Sequence, residues 1–217
     1  MGTREVIVPV GAVRLPADVD GPDDPTGVVL FAHGSGSSRH SPRNVAVAEV
    51  LQRAGHATVL VDLLTAEEDA VDAVTAELRF DIGLLAERLA GIVDWLGTDP
   101  ALGRLPVGLF GASTGAAAAL VAAADRPERV AAVVSRGGRP DLAGAALGGV
   151  RAPTLLLVGG NDEEVITLNE RAAARLHAPY ELRIVPGATH LFEEPGALDQ
   201  VADAAAGWFA THLRVPA

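Results

Sequence analysis

The sequence predicts an α/β fold, and three observations carry that expectation. Strand-like and helix-like patches alternate along the chain, as they do where helices link the strands of a sheet. Residues 28–32 form an unbroken apolar run, Val-Val-Leu-Phe-Ala, of the kind found in strands buried on both faces. A second apolar run ends in Gly111-Ala112-Ser113-Thr114-Gly115, and an alanine-rich stretch leaves from it. That reads as strand, sharp turn and helix.

The elements follow in order. Val6, Val8 and Val10 alternate with other residues in a first strand, and Gly11 turns the chain back through residues 12–15. The loop Gly21-Pro22-Asp23-Asp24-Pro25 separates this pair from the strand at 28–32. Ser41-Pro42 reads as an N-cap followed by proline at the first helical position. That helix runs to Ala54 and stops at Gly55. Residues 59–61 supply the next strand. Ile82, Leu85, Leu89, Ile92, Val93 and Leu96 recur at helical spacing and place an amphipathic helix on the sheet. Strands are expected at 106–110, 130–134, 154–158 and 182–185, with helices between them and a last helix over 197–212. The connection from Val134 to Thr154 is too short for a lid domain.

Composition narrows the class. The 217 residues suit one domain, 1–217, with a full core, and with 4% aromatics Ala, Val and Leu must do the packing. No apolar run approaches the ~18–20 residues that span a bilayer. Arg4, Glu5 and Pro9 interrupt the first apolar stretch, unlike a signal peptide. The absence of cysteine excludes disulfides, thiolate metal sites and a cysteine nucleophile, and the chain reads as cytoplasmic. A net charge of −11 argues against nucleic acid. All 17 basic residues are arginine, which excludes Schiff-base lysine chemistry and a P-loop lysine.

Ser113 is the candidate nucleophile. A serine hydroxyl needs a base within reach, and the base needs a partner that fixes its tautomer and stabilises its charge. Asp162, in Gly159-Gly160-Asn161-Asp162, follows one predicted strand; His190, in Pro186-Gly187-Ala188-Thr189-His190, follows the next. Loops after the ends of parallel strands share one sheet edge, so these three residues can converge. Glu163 and Asp141 are the rival acids. The loop His33-Gly34-Ser35-Gly36-Ser37-Ser38 follows the 28–32 strand. Its small residues let backbone N–H groups approach a developing oxyanion, with the N–H groups of Ser35 and Thr114 as the expected donors. His33 is expected to order that loop. His40, His56, His177 and His212 show no metal-ligand spacing.

With this loop, the G-A-S-T-G elbow and the order Ser113, Asp162, His190, the chain resembles the α/β-hydrolases of the dienelactone hydrolase family. The resemblance runs from about Val28 to Leu213 and implies an α/β-hydrolase fold, a mostly parallel sheet of about eight strands flanked by helices. It implies hydrolysis of small carboxylic esters or lactones through an acyl-enzyme, with no metal or cofactor. Dienelactone hydrolases proper use cysteine as nucleophile; this chain has serine there, which favours general esterase chemistry.

Arg39, Arg43, Arg136 and Arg139 follow loops expected at the cleft, and guanidinium forks suit a carboxylate or phosphate on the substrate. Arg39 and Arg136, with Gly34, are the candidates for substrate binding. Two readings from other classes remain. Gly34-Ser35-Gly36 with Asp62 resembles part of a dinucleotide fingerprint, but its third glycine position is Arg39. A hydrolase scaffold used only for binding is the other. Within enzymes, thioesterase, peptidase or acyl-transfer activity would use the same three residues.

Overall fold

The computed structural model describes residues 3–214 and arranges them around an eight-stranded sheet. β1 (Arg4–Val10) and β2 (Val13–Asp20) form the hairpin announced by the alternating valines, turning at Gly11 with φ of 55°. β3 (Val28–Ala32), β4 (Ala57–Val61), β5 (Val107–Ala112), β6 (Val130–Arg136), β7 (Thr154–Gly159) and β8 (Tyr180–Val185) complete it. Across the sheet the order is β1-β2-β4-β3-β5-β6-β7-β8. β2 is antiparallel to both its neighbours, and every pair from β4 to β8 is parallel.

Parallel neighbours require long crossovers, and helices supply most of them. The helices are α1 (Pro42–Arg53), α2 (Ala66–Thr75), α3 (Ile82–Leu96), α4 (Thr114–Asp125), α5 (Glu163–Ala173) and α6 (Ala197–His212). α1 and α6 pack together on one face; α3 and α4 cover the other. β3 shows why its run is unbroken. Val28, Leu30 and Ala32 enter the core beneath α3 and α4, while Val29 and Phe31 enter the core beneath α1 and α6. The rings of Phe31 and Phe110 stack there with centroids 4.9 Å apart. Truncating either to alanine would cost about 3–5 kcal/mol.

Some boundaries differ from expectation. α4 begins at Thr114 rather than 116, because the elbow feeds directly into the helix. Between β6 and β7 the chain forms 3₁₀ turns over Pro140–Gly149, broken at Gly144 by a φ of 55°, in place of a regular helix. α2 had no apolar stripe to betray it, since its one buried residue is Asp72. The available signal was its start, where the Thr65 hydroxyl accepts the Glu68 N–H and the Glu68 carboxylate accepts the Thr65 N–H.

The topology places the site. From β3 the chain moves to β4 on one side, then returns through α2 and α3 to β5 on the other. The loops leaving β3 and β5 therefore diverge and open a crevice at the carboxyl ends of the strands. Among the described residues no lid domain stands over that edge, and no helix is long and apolar enough to cross a membrane.

Candidate active site

Ser113 sits where β5 turns into α4, with φ of 50° and ψ of −120°. Few residues other than glycine tolerate positive φ, and such strain persists only where the surroundings impose it. Here its N–H donates to the Arg136 carbonyl at 3.3 Å, and its carbonyl accepts from the N–H groups of Ala116 at 3.1 Å and Arg139 at 3.0 Å. The flanking glycines are required by contact. A Cβ on Gly111 would come 2.4 Å from the Ala116 Cα, and one on Gly115 would come 2.3 Å from the Ala32 carbonyl oxygen.

Asp162 and His190 sit on two loops stitched together through the backbone. Gly160 N–H donates to the Val185 carbonyl, Asn161 N–H to the Ala188 carbonyl and the Asn161 side chain to the Gly187 carbonyl, at 2.8 to 2.9 Å. This brings Asp162 Oδ2 within 2.7 Å of His190 Nδ1. Asp162 occupies the N-cap position of α5 without spending its carboxylate on the helix, which leaves it for the imidazole. The rival Asp141 is taken by Arg139, in a two-pronged pair at 2.8 and 2.9 Å. His190 borders a cleft of about 190 Å³ together with Ser113, Gly34, Ser35, Arg43 and Arg136. Ser113 and His190 share no hydrogen bond, and contacts of this kind commonly close only around a substrate.

The loop after β3 is ordered by His33. The Leu63 N–H donates to its Nε2 at 3.2 Å, so Nδ1 carries the proton and donates to the Gly34 carbonyl at 3.0 Å. Gly34 packs against the nucleophile, where a Cβ would stand 3.1 Å from that of Ser113. The Ser35 and Thr114 hydroxyls meet at 3.1 Å, and the backbone N–H groups of both residues are free of hydrogen bonds.

The four arginines separate. Arg139 is held by Asp141 as described. Arg39 does not border the Ser113 cleft, contrary to its expected place: its guanidinium pairs with Asp62 and lies 3.3 Å from Asp18. Asp62, the would-be ribose acid of a dinucleotide site, is thereby occupied, and it also accepts the Arg39 N–H at 2.7 Å. Arg43 and Arg136 do border the cleft. Arg136 is buried, 8% exposed, with no hydrogen bond to its guanidinium and Nη1 sealed from solvent. Burial, reinforced by repulsion from Arg43, lowers its pKa to about 10, so it stays cationic at neutral pH.

Asn169 escaped sequence reasoning altogether. Fully buried on α5, it donates to the Gly138 carbonyl at 3.0 Å and the Val165 carbonyl at 2.8 Å. It thereby fixes the turn after β6 whose next residue, Arg139, holds the Ser113 carbonyl. An asparagine within a polar helix gives no sequence signal of such a role. No group of three or more potential metal-ligating side chains occurs among the described residues.

Residues 15–213 match the dienelactone hydrolase family. The chain belongs to that family. It has that family's α/β-hydrolase fold. A dienelactone hydrolase from Anabaena variabilis is 60% identical, with a TM-score of 0.96 over 99% of this chain and 100% of that one. Est1E from Butyrivibrio proteoclasticus, 16% identical, shares the fold with a TM-score of 0.79 over 95% of this chain and 98% of its own. A putative phosphoribosyl transferase from Mycobacterium tuberculosis is 59% identical over 98% of this chain and 47% of its own length. The chain thus spans about half the length of that curated relative.

Proposed function

We propose that this member of the dienelactone hydrolase family is a serine hydrolase that cleaves small carboxylic esters or lactones through an acyl-enzyme. One observation carries the reading: the imidazole held by Asp162 at 2.7 Å opens on the same cleft as a half-buried serine strained into a tight turn. With Nδ1 engaged by the carboxylate, Nε2 is the atom left to take a proton. Ser113 Oγ attacks the carbonyl carbon and passes its proton to His190. The N–H groups of Ser35 and Thr114 receive the negative oxygen. His190 then protonates the departing alcohol, and the acyl-enzyme forms. Water, deprotonated by the same imidazole, attacks the acyl carbon; collapse returns the acid product and the proton to Ser113. Gly34 and Arg136 line the substrate's side of the cleft.

A cleft of about 190 Å³ suits substrates of modest size.

The test is hydrolysis of p-nitrophenyl acetate and butyrate, alongside labelling by a fluorophosphonate. Ser113→Ala is expected to lose the label and about 10⁴-fold or more in kcat. A folded wild type that neither labels nor turns over either ester would remove the assignment.

A further inference from the structure

The cleft beside Ser113 holds charge that the protein does not balance. Ionised side chains are seldom buried without a partner, because removing them from water is costly. Arg136 is such a case, 8% exposed and without a carboxylate or hydrogen-bond acceptor among the described residues. Arg43 stands close enough to repel it. Arg43 itself is paired at 3.0 Å with Glu193, whose side chain is 62% exposed, and its Nε has no partner. This concentration of positive charge occurs in a protein of net charge −11.

A third source of positive potential lies beside the two guanidiniums. The 12-residue helix α1 starts at the cleft, which Ser41 and Arg43 both line. Its N-terminus has no side-chain cap and no acidic residue in its first turn, and the N–H groups of Arg43 and Asn44 make no hydrogen bond. Such an end attracts anions through its free donors and its dipole. Ser41, at the N-cap position, makes no cap hydrogen bond.

We propose that Arg136, Arg43 and the N-terminus of α1 form a subsite for a phosphate-type oxyanion, and that the substrate is a small carboxylic ester bearing a phosphate group. The assignment of the scissile ester rests on the serine hydrolase reading above; the oxyanion subsite does not. A carboxylate has two oxygens and one charge, and the Arg136 fork alone would consume both. Arg43, the Ser41 hydroxyl and the helix N–H groups would then go unanswered. A phosphate brings three acceptor oxygens and a charge nearing −2. It is a spectator in the reaction: the acyl C–O bond breaks, water's hydroxyl joins the acyl carbon and its proton joins the alcohol oxygen. The phosphate stays on whichever product carried it.

The experiment is calorimetric titration of the full chain with inorganic phosphate, paired with thermal melts. Wild type and Ser113→Ala are expected to bind phosphate alike, and phosphate should raise the apparent KM for p-nitrophenyl acetate without lowering kcat. Arg136→Met should weaken phosphate by about tenfold or more. Relief of an unpaired charge should bring its melting temperature without phosphate to that of wild type or above. If Arg136→Met does not fold, Arg43→Gln carries the same binding readout. Acetate or succinate binding as tightly as phosphate would overturn the proposal in favour of a carboxylate site. So would a folded wild type that ignores phosphate, or an Arg136→Met protein that melts early while binding phosphate normally. Fluorophosphonate labelling reports on Ser113 separately. A protein that binds phosphate but is not labelled loses the ester assignment and keeps the subsite; one that is labelled but does not bind phosphate loses the subsite alone.

Discussion

Two clefts share the loop after β3 as a wall, and they treat arginine in opposite ways. In one, Arg39 is met by Asp62 and Asp18, reached from β4 and β2. In the other, Arg136 at the end of β6 meets only another arginine and a helix N-terminus. Both guanidiniums are largely withdrawn from water. The first is a closed electrostatic unit that fastens the loop to the antiparallel end of the sheet. The second is open, and its imbalance can be relieved from outside. Burial alone therefore does not distinguish a structural arginine from a binding one; the partners do.

The sharpest way to break this contrast is kinetic. The ratio of kcat/KM for a phosphate-bearing ester to that for its neutral analogue should fall about 10- to 100-fold in Arg136→Gln. In Arg39→Gln that ratio should stay within about twofold, because a guanidinium already paired has nothing to offer the substrate. Equal ratios in the two variants would erase the distinction.

Stability should divide the pair in sign. Burial lowers the pKa of Arg136 to about 10, which corresponds to roughly 3 kcal/mol of penalty on its charged form. Arg136→Met should accordingly raise the unfolding free energy by up to about that amount. Asp62→Ala leaves Arg39 only Asp18 as a partner and should lower it by about 1–3 kcal/mol. Urea midpoints at constant m-value measure both.

The smallest effect is a pH dependence that neither cleft supplies. His56, buried at the opposite end of the strands, has its pKa pulled below the ordinary value by burial, and its Nε2 has no partner. The unfolded chain therefore takes up a proton there before the folded one does. Stability should be level above about pH 7 and decline as the pH falls through the ordinary histidine pKa near 6.5, by about 1 kcal/mol per pH unit at most. Arg136 contributes no slope in that range, since it is protonated in both states well below pH 10. Burial lowers the pKa of His212 as well, so urea titrations between pH 5 and 8 should show a shallower decline in His56→Phe and an unchanged one in Arg136→Met.

Much of this was legible in the sequence because it is local. A hydroxyl between two glycines at the end of an apolar run specifies its own turn, since a Cβ at Gly111 or Gly115 would strike backbone. Val28 to Ala32 announces a strand buried on both faces by lacking any polar residue. Ser113, Asp162 and His190 each follow a strand, and parallel strands deliver such residues to one edge. α2 was hidden because it buries almost nothing, and its capping box was its one local mark.

What the sequence by itself determined was the fold class, the turn that carries Ser113 and the strand-end loops that carry Ser35, Asp162 and His190. Each depends on residues adjacent in the chain or on the strand ends they follow. Only the tertiary structure decided which arginines are free. Arg39 finds Asp62 23 positions away, and Arg139 finds Asp141 two positions away, whereas Arg136, three positions before Arg139, finds no carboxylate. Electrostatic pairing acts through space at a few ångströms, and one-dimensional spacing does not encode which charges the fold will set side by side.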